Sequence, residues 1–495
     1  MLVKDQKESY KEVFKVTTLF GGVQVFSILI SLIRSKIIAV LLGEAGMGII
    51  TMFQQPLGIV GLLSEMGLGT SSIRDITKAK TEGDKNKISK TIKTVKRWIL
   101  VTGLCGALVF IVLSPLFSRF MGQGSNYTWA FAFLSIAILF STLSSGQTAI
   151  LRGLRRLKDT AKAGIMGSGF GLIISLPLYY FYGLKGIVPS LIITSVTTLL
   201  ASWYFSRKVK LAPVAISYKE SFFQGREMIK LGFIITTTSL ISQFVTYIFT
   251  LYLNNQEGIE VVAWYNAGWA MTNQYIGLIF TAMTVDYFPR LVSLQSDHNK
   301  MSQAVNEQAE IAILIVAPLM LLFTSFLPVI IKIVYRESFL PIIVFAQWMI
   351  LGMMLKTASW ALSYIIVAKG DNRLFFFTEI SASIVVLLLN IGAYTLFGLM
   401  GVGITFVILY SLYLSAMLII AKKRYQVTYK SGFIKMFLFQ FTLCLLCFLV
   451  VIFKGYPLTY IAGSILFIIS AIYSLKELNN RMDIKAILTK RRIKK

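Results

Sequence analysis

Fourteen apolar segments divide this chain, and the basic residues in the gaps between them alternate sharply in number. The segments run over approximately 16–42, 47–71, 98–118, 127–151, 163–183, 186–206, 229–253, 261–288, 310–335, 339–368, 374–397, 400–421, 433–453 and 457–475. Each approaches or exceeds the ~20 residues that a helix needs to cross ~30 Å of hydrocarbon. With the N-terminus placed in the cytoplasm, the inner gaps include nine basic residues from Arg74 to Arg97, five from Arg152 to Lys162 and eight from Lys476 to Lys495. In all, 41 of the 49 Lys and Arg fall on that side. The outer gaps keep only Arg119, Lys185, Lys332, Arg336 and Lys454. One span more or fewer would invert every later gap, so the alternation predicts an even number of spans with both termini cytoplasmic.

The fold class that follows is an all-α polytopic integral membrane protein of about fourteen transmembrane helices. A β-barrel would show short alternating segments instead of long continuous ones. Composition agrees, with 56% hydrophobic and 14% charged residues and a mean hydropathy of +0.72. The net charge of +27 is that of a nucleic-acid binder, but its confinement to the inner gaps assigns it to topology and anionic-lipid contact. No nucleic-acid partner is expected. The first apolar stretch is too long for the core of a cleavable signal.

The first segment, Val16 to Leu42, carries a polar stripe at helical period: Thr17, Gly21, Gln24, Ser27, Ser31, Arg34 and Ser35. Shifting it by 215 residues brings Lys15 onto Lys230, Gly21 onto Thr236, Gln24 onto Ser239, Ser31 onto Thr246, Ser35 onto Thr250 and Gly43 onto Gly258. The seventh segment thus repeats the stripe as Thr236, Ser239, Gln243, Thr246 and Thr250. Two parallel six-span lobes are expected, 1–210 and 211–425, followed by two further spans and a basic tail over 426–495. Such repeats place a substrate site between the lobes and let one rock against the other.

Enzymatic motifs are missing. There is no Walker A sequence, and His298, the single histidine, has no cysteine or histidine beside it. Cys444 and Cys447 sit inside an apolar span, where small buried side chains are the expected reading. Gly167, Gly169 and Gly171 follow no strand, so they read as helix-packing positions. No metal site is expected.

Ionisable residues within spans are costly, ~2.5 kcal/mol or more, and mark candidate sites. Arg34 in span 1 and Lys356 in span 10 have no acid at i±3 or i±4, one in each lobe, and suggest an anion; a diphosphate suits a guanidinium because it is bound bidentately. Pairing of Arg34 with Glu65, and snorkelling of Lys356, are the alternatives. Arg152 and Arg290 join this anion set, although Arg290, after Pro289 at the expected end of span 8, also reads as a topology anchor. Glu65, Glu379 and Asp286 are the candidate carboxylates for coupling to H+ or Na+, or for packing networks. Span 8 combines Asn266, Trp269, Asn273 and Gln274, and with Gln24 and Gln243 these offer amides and aromatic faces to a sugar. Trp264 and Tyr265 alternatively form an interfacial belt.

The chain resembles the polysaccharide (O-antigen) translocases of the multidrug/oligosaccharidyl-lipid/polysaccharide superfamily. The resemblance rests on Lys15 to Gly43 followed by a Gly46-Met47-Gly48 turn and span 2, on the six-plus-six repeat, on Phe288-Pro289-Arg290-Leu291 with Ser293, and on Ala149-Ile150-Leu151-Arg152-Gly153. It implies an inner-membrane flippase that takes an undecaprenyl-diphosphate-linked oligosaccharide from the cytoplasmic to the periplasmic face. The tail stays in the bilayer while the cavity replaces the hydration of glycan and diphosphate. No cofactor is implied beyond a coupling ion. Membrane lipids, a polysaccharide polymerase and a chain-length regulator are the candidate partners, and a monomer is expected. A drug/cation antiporter or a peptidoglycan-precursor flippase of the same superfamily, and a membrane-embedded glycosyltransferase or polymerase, are the rivals. The last would need catalytic groups on a large outer loop, and every outer loop here is short.

Overall fold

The computed structural model describes residues 28–122, 126–209 and 211–482. At a few helical positions in the last stretch, Gln274 and Asp286 among them, it describes the backbone alone. All regular structure among these residues is helical, as hydrocarbon requires of a chain that must satisfy its backbone within each segment. Helix α1 occupies 28–41; Thr17, Gly21, Gln24 and Ser27 of its stripe lie outside the described residues.

The chain turns at Gly43, whose φ is 66°, into α2, Gly43–Glu65. Gly46-Met47-Gly48 therefore lies within a helix and is not the turn the sequence suggested. Gly48 is needed for another reason: a Cβ there would stand 2.2 Å from the Ile259 carbonyl oxygen. The second span also stops earlier than its hydropathy predicts. Met66 and Gly67 are both left-handed, at φ 44° and 66°, and they break the apolar run into α2 and a short α3, Leu68–Thr81.

Helices α4 (Lys85–Met121), α5 (Thr128–Gly153), α6 (Leu157–Tyr182) and α7 (Ile187–Ser206) follow. Asp84 caps α4 by accepting from the backbone N–H groups of Asn86 and Lys87. Gly167 and Gly171 let α6 approach α7 closely, since a Cβ would lie 2.8 Å from Thr198 Cα and 3.1 Å from Thr197 Oγ1 respectively. Helix α8 is Tyr218–Glu257. Helix α9 (Ile259–Trp269) passes through a π turn, Ala270–Gln274, into α10 (Tyr275–Ser293). Pro289 does not end α10: the helix runs on to Ser293, even though an interior proline removes a backbone hydrogen bond and crowds the preceding turn. The rest are α11 (His298–Val334), α12 (Ile342–Ala368), α13 (Asn372–Tyr425), α14 (Ser431–Lys454) and α15 (Tyr456–Met482).

Nine segments among the described residues are long and apolar enough to cross a membrane. Two of them each contain two helical crossings. Residues 157–206 fold back through a 3-10 turn at Gly183–Gly186, and α13 is interrupted at Gly398, whose φ of 58° no ordinary helical residue adopts. Helices α1, α8 and α9–α10 complete the fourteen crossings read from hydropathy.

By packing, the chain divides into two compact units. One runs to Trp264 and includes Val334–Arg336; the other holds Tyr265–Ile333 and the residues from Glu337 onward. The first seven crossings thus pack together. In this first unit, Leu68 and Ile76 of α3, Ile92, Val95 and Ile99 of α4, Ile150 of α5 and Met228 of α8 form one buried cluster. It ties the ends of four helices together and fixes where α2 gives way to α3. In the second unit Cys444 and Cys447 are buried free thiols, Cys447 beside Ser325 Oγ at 3.5 Å.

Candidate functional site

A polar cavity of about 730 Å³ lies inside the first unit. Arg34 of α1, Glu65 at the end of α2, Arg152 in the last turn of α5 and Gln243 of α8 all line it. Four residues picked from the sequence, far apart along the chain, are therefore brought to one space.

The Arg34 guanidinium is half-buried, and its Nη2 is buried without a hydrogen-bond partner. An unpaired cationic N–H in such a place costs several kcal/mol unless a ligand or water takes it. Among the described residues no ion pair within 4.0 Å joins Arg34 to a carboxylate. Glu65 instead keeps company with Ser145: Glu65 Oε2 and Ser145 Oγ lie 3.4 and 3.2 Å from where a Cβ of Gly69 would be. Gln243 Oε1 enters over Gly58, 3.0 Å from the missing Cβ. The stripe of α8 continues into this unit, where Gln55 Nε2 donates to Thr250 Oγ1 at 2.9 Å.

Hydroxyls not singled out from the sequence also line it, among them Ser141, Ser145 and Thr148 on α5, and Thr194, Ser195 and Thr198 on α7. Their spacing was a usable signal, because Ser141, Ser145, Thr148 and Arg152 repeat at four, three and four residues. That is the same helical stripe that marked α1. Two guanidiniums, one carboxylate, the amides of Gln54 and Gln243 and a ring of hydroxyls can hold an anionic group and hydroxyls beside it.

A second polar cluster belongs to the other unit. Lys356 Nζ donates to Asn273 Oδ1 at 2.8 Å and sits 5.3 Å from the centre of the Tyr410 ring. Tyr413 donates to Glu379 Oε1 at 3.2 Å. Asn273 is presented by the π turn between α9 and α10, a helical irregularity that often coincides with function. Lys356 therefore does not snorkel; an amide and an aromatic face hold it inside. Trp269 meets Phe406 edge-on at 5.9 Å, and Asn266 is half-buried one heptad before Asn273. Tyr265 is buried against Phe345, with ring centroids 5.9 Å apart, and does not form an interfacial belt.

Arg290 stands apart from both clusters. It is exposed and bonded to Glu307 at 2.6 Å, the geometry of an anchor at a helix end. Gln24 lies outside the described residues, and so do the side chains of Gln274 and Asp286.

The family model described as a polysaccharide biosynthesis protein matches residues 37–344. This chain belongs to that family. The lipid III flippase of Escherichia coli (strain K12) is 19% identical to it over 359 residues, 71% of this chain and 84% of that one. The lipid II flippase MurJ, in an inward closed conformation, matches with a TM-score of 0.68 at 15% identity, over 94% of this chain and 99% of that one. An inward-facing multidrug resistance transporter of the MATE family matches with a TM-score of 0.64 at 16% identity, over 85% and 95%. The family member described here thus has the fold of the MOP superfamily transporters.

Proposed function

We propose that this protein is a flippase for a polyprenyl-diphosphate-linked oligosaccharide, carrying it from the cytoplasmic to the outer face of the cell membrane by alternating access. The observation that carries the reading is Arg34: a cation with a buried, unpartnered N–H, in a hydroxyl-lined cavity of a polysaccharide biosynthesis family protein. The guanidinium takes the diphosphate, and Arg152 adds a second positive charge. The hydroxyls and Gln243 take the first sugar; Lys356 with Asn273, Asn266 and Trp269 are assigned to glycan contacts within the second unit. Glu65, Glu379 and Asp286 are assigned to coupling with H+ or Na+. Both termini lie in the cytoplasm, and the protein works as a monomer beside a polymerase and a chain-length regulator.

The finer substrate is an O-antigen or other surface-polysaccharide repeat. The lipid-linked precursor of peptidoglycan is the second reading, favoured by the match to the lipid II flippase over 94% of the chain. The sign of Arg34 and Arg152 argues against a cationic drug as cargo. The test is glycan export in cells lacking the protein, complemented by variants. Arg34→Ala is expected to leave lipid-linked oligosaccharide on the cytoplasmic leaflet, and Arg34→Lys to restore a fraction, because an ammonium keeps the charge but loses the fork. Normal export by Arg34→Ala at normal protein level removes Arg34 from the site. Loss of cell-wall synthesis with intact surface polysaccharide selects the peptidoglycan precursor.

A further inference from the structure

The turn that follows α5 holds an arginine where a glycine is the usual residue. Past Leu154 the chain reverses in a Schellman motif: Arg155 N donates to the Arg152 carbonyl and Arg156 N to the Leu151 carbonyl, both at 2.8 Å. Arg155 stands at the left-handed corner, at φ 55°, a strained conformation for a residue that carries a Cβ. The same chain also builds this turn without strain. The 215-residue offset that aligns the two polar stripes carries Arg155 onto Gly370, in the turn after α12. There Gly370 N donates to the Val367 carbonyl and Asp371 N to the Ile366 carbonyl, both at 3.1 Å, the same motif bond for bond. Its corner is a glycine at φ 71°.

Structure gives the arginine no other task. Thr77 Oγ1 and Lys80 Nζ of α3 already donate to the Gly153 and Leu154 carbonyls, at 3.1 and 2.6 Å, and fix the turn. Arg156 is paired with Asp159 at 2.7 Å. Arg155 is exposed, and among the described residues no hydrogen bond or ion pair engages its guanidinium. Topology does not need it, since Arg152, Arg156, Lys158 and Lys162 keep the gap basic. Its position does supply a task. Ser141, Ser145, Thr148 and Arg152 line the Arg34 cavity at steps of four, three and four residues. Arg155 is the next step of three, just beyond the helix, with its backbone bonded to Arg152.

We infer that Arg155 is the entry arginine of this cavity, capturing the diphosphate of the lipid-linked substrate at the cytoplasmic rim and passing it to Arg152 and Arg34. The inference rests on the diphosphate reading of the cavity. A charge on an exposed rim acts on the rate of encounter, whereas a buried one acts on residence.

The test measures export and melting temperature of the full-length protein, and the rates at which undecaprenyl diphosphate binds and leaves in phosphatidylcholine nanodiscs. Arg155→Gly is expected to melt about 1–2 °C above wild type, because the strain is relieved. Its export and its association rate are expected to fall together, about threefold, with dissociation unchanged. Arg155→Asn, uncharged but less flexible than glycine, is expected to show the same export defect. Arg34→Ala is expected chiefly to speed dissociation. Gln426→Gly relieves a left-handed corner at φ 57° after α13 and is expected to gain stability at unchanged export. Normal export by Arg155→Gly or Arg155→Asn, or a melting temperature of Arg155→Gly below wild type, overturns the assignment. So does slower export at an unchanged association rate, which would make phospholipid headgroups what Arg155 holds. In each of these cases the diphosphate reading stands. Unchanged dissociation from Arg34→Ala removes that reading, and the entry role with it.

Discussion

Lys356 Nζ donates to Asn273 Oδ1 at 2.8 Å, while Nδ2 of the same Asn273 is buried without an acceptor. The amide thus gives the cation one dipole and keeps a donor free for an incoming oxygen. Replacing that dipole with a charge should close the site: in Asn273→Asp the carboxylate would hold the ammonium directly, in surroundings of low dielectric. Glycan export is expected to fall at least about tenfold, equivalent to about 1.4 kcal/mol, with protein abundance unchanged. Asn273→Gln, which retains both amide functions, should keep part of the activity. Export by Asn273→Asp at the wild-type rate would take Lys356 out of the substrate path.

Two glycines on the same stretch of chain separate transport from folding. Gly61 lines the cavity, and a Cβ there meets nothing within 4 Å. Gly61→Phe should therefore plug the cavity and stop export while thermal stability in detergent stays within about 1 kcal/mol of wild type, since a glycine removed from a helix interior regains that much. A variant that exports normally would show that the substrate does not pass Gly61.

Six residues further on the outcome inverts. Gly67 has φ 66°, and a Cβ there would stand 2.1 Å from the Gly232 carbonyl of α8. Gly67→Ala carries both the left-handed penalty, about 1–2 kcal/mol, and a backbone collision that only a shift of α8 can relieve. Gly83, at φ 75° with open space around it, carries the first cost alone. The expected order of melting temperatures is wild type, then Gly83→Ala, then Gly67→Ala well below both. Equal melting temperatures for the two variants would mean that α8 yields freely at Gly232.

The crossings were legible because a membrane span writes its length directly into the sequence, and Arg34, Glu65, Arg152 and Gln243 were legible because an ionisable or amide group inside a span has few bland explanations. What could not be read was where the backbone breaks. The left-handed Met66, a residue that rarely adopts φ 44°, splits an unbroken apolar run, and that break places Glu65 beside Ser145. Nor does hydropathy separate a π turn from a regular helix, although the turn presents Asn273 to Lys356. The serines of α5 and α7 were visible at helical spacing. They carry little signal by themselves, because single hydroxyls in a span usually bond back to their own helix, as Ser141 does to Ile138.

The connection between α7 and α8 is fastened to α4 side chain by side chain, and one pair there can be tested for direct coupling. Ser89 Oγ accepts from Ala212 N, Thr94 donates to Gln224 Oε1, and Arg97 lies over the Tyr218 ring at 4.4 Å. Trp98 Nε1 donates to the Ser221 carbonyl at 2.9 Å, and its indole occupies the notch left by Gly225, where a Cβ would stand 1.7 Å from Nε1. Trp98→Ala should lower stability by about 2 kcal/mol through lost packing and the lost hydrogen bond. Gly225→Ala should be destabilising in the wild-type background, because the indole has to leave its notch. In the Trp98→Ala background the same change should be neutral or slightly stabilising, since the notch is then empty and alanine favours the helix. A double-mutant cycle on thermal unfolding is therefore expected to return a coupling of about 1–3 kcal/mol. Additive effects would show that Trp98 and Gly225 do not share that space.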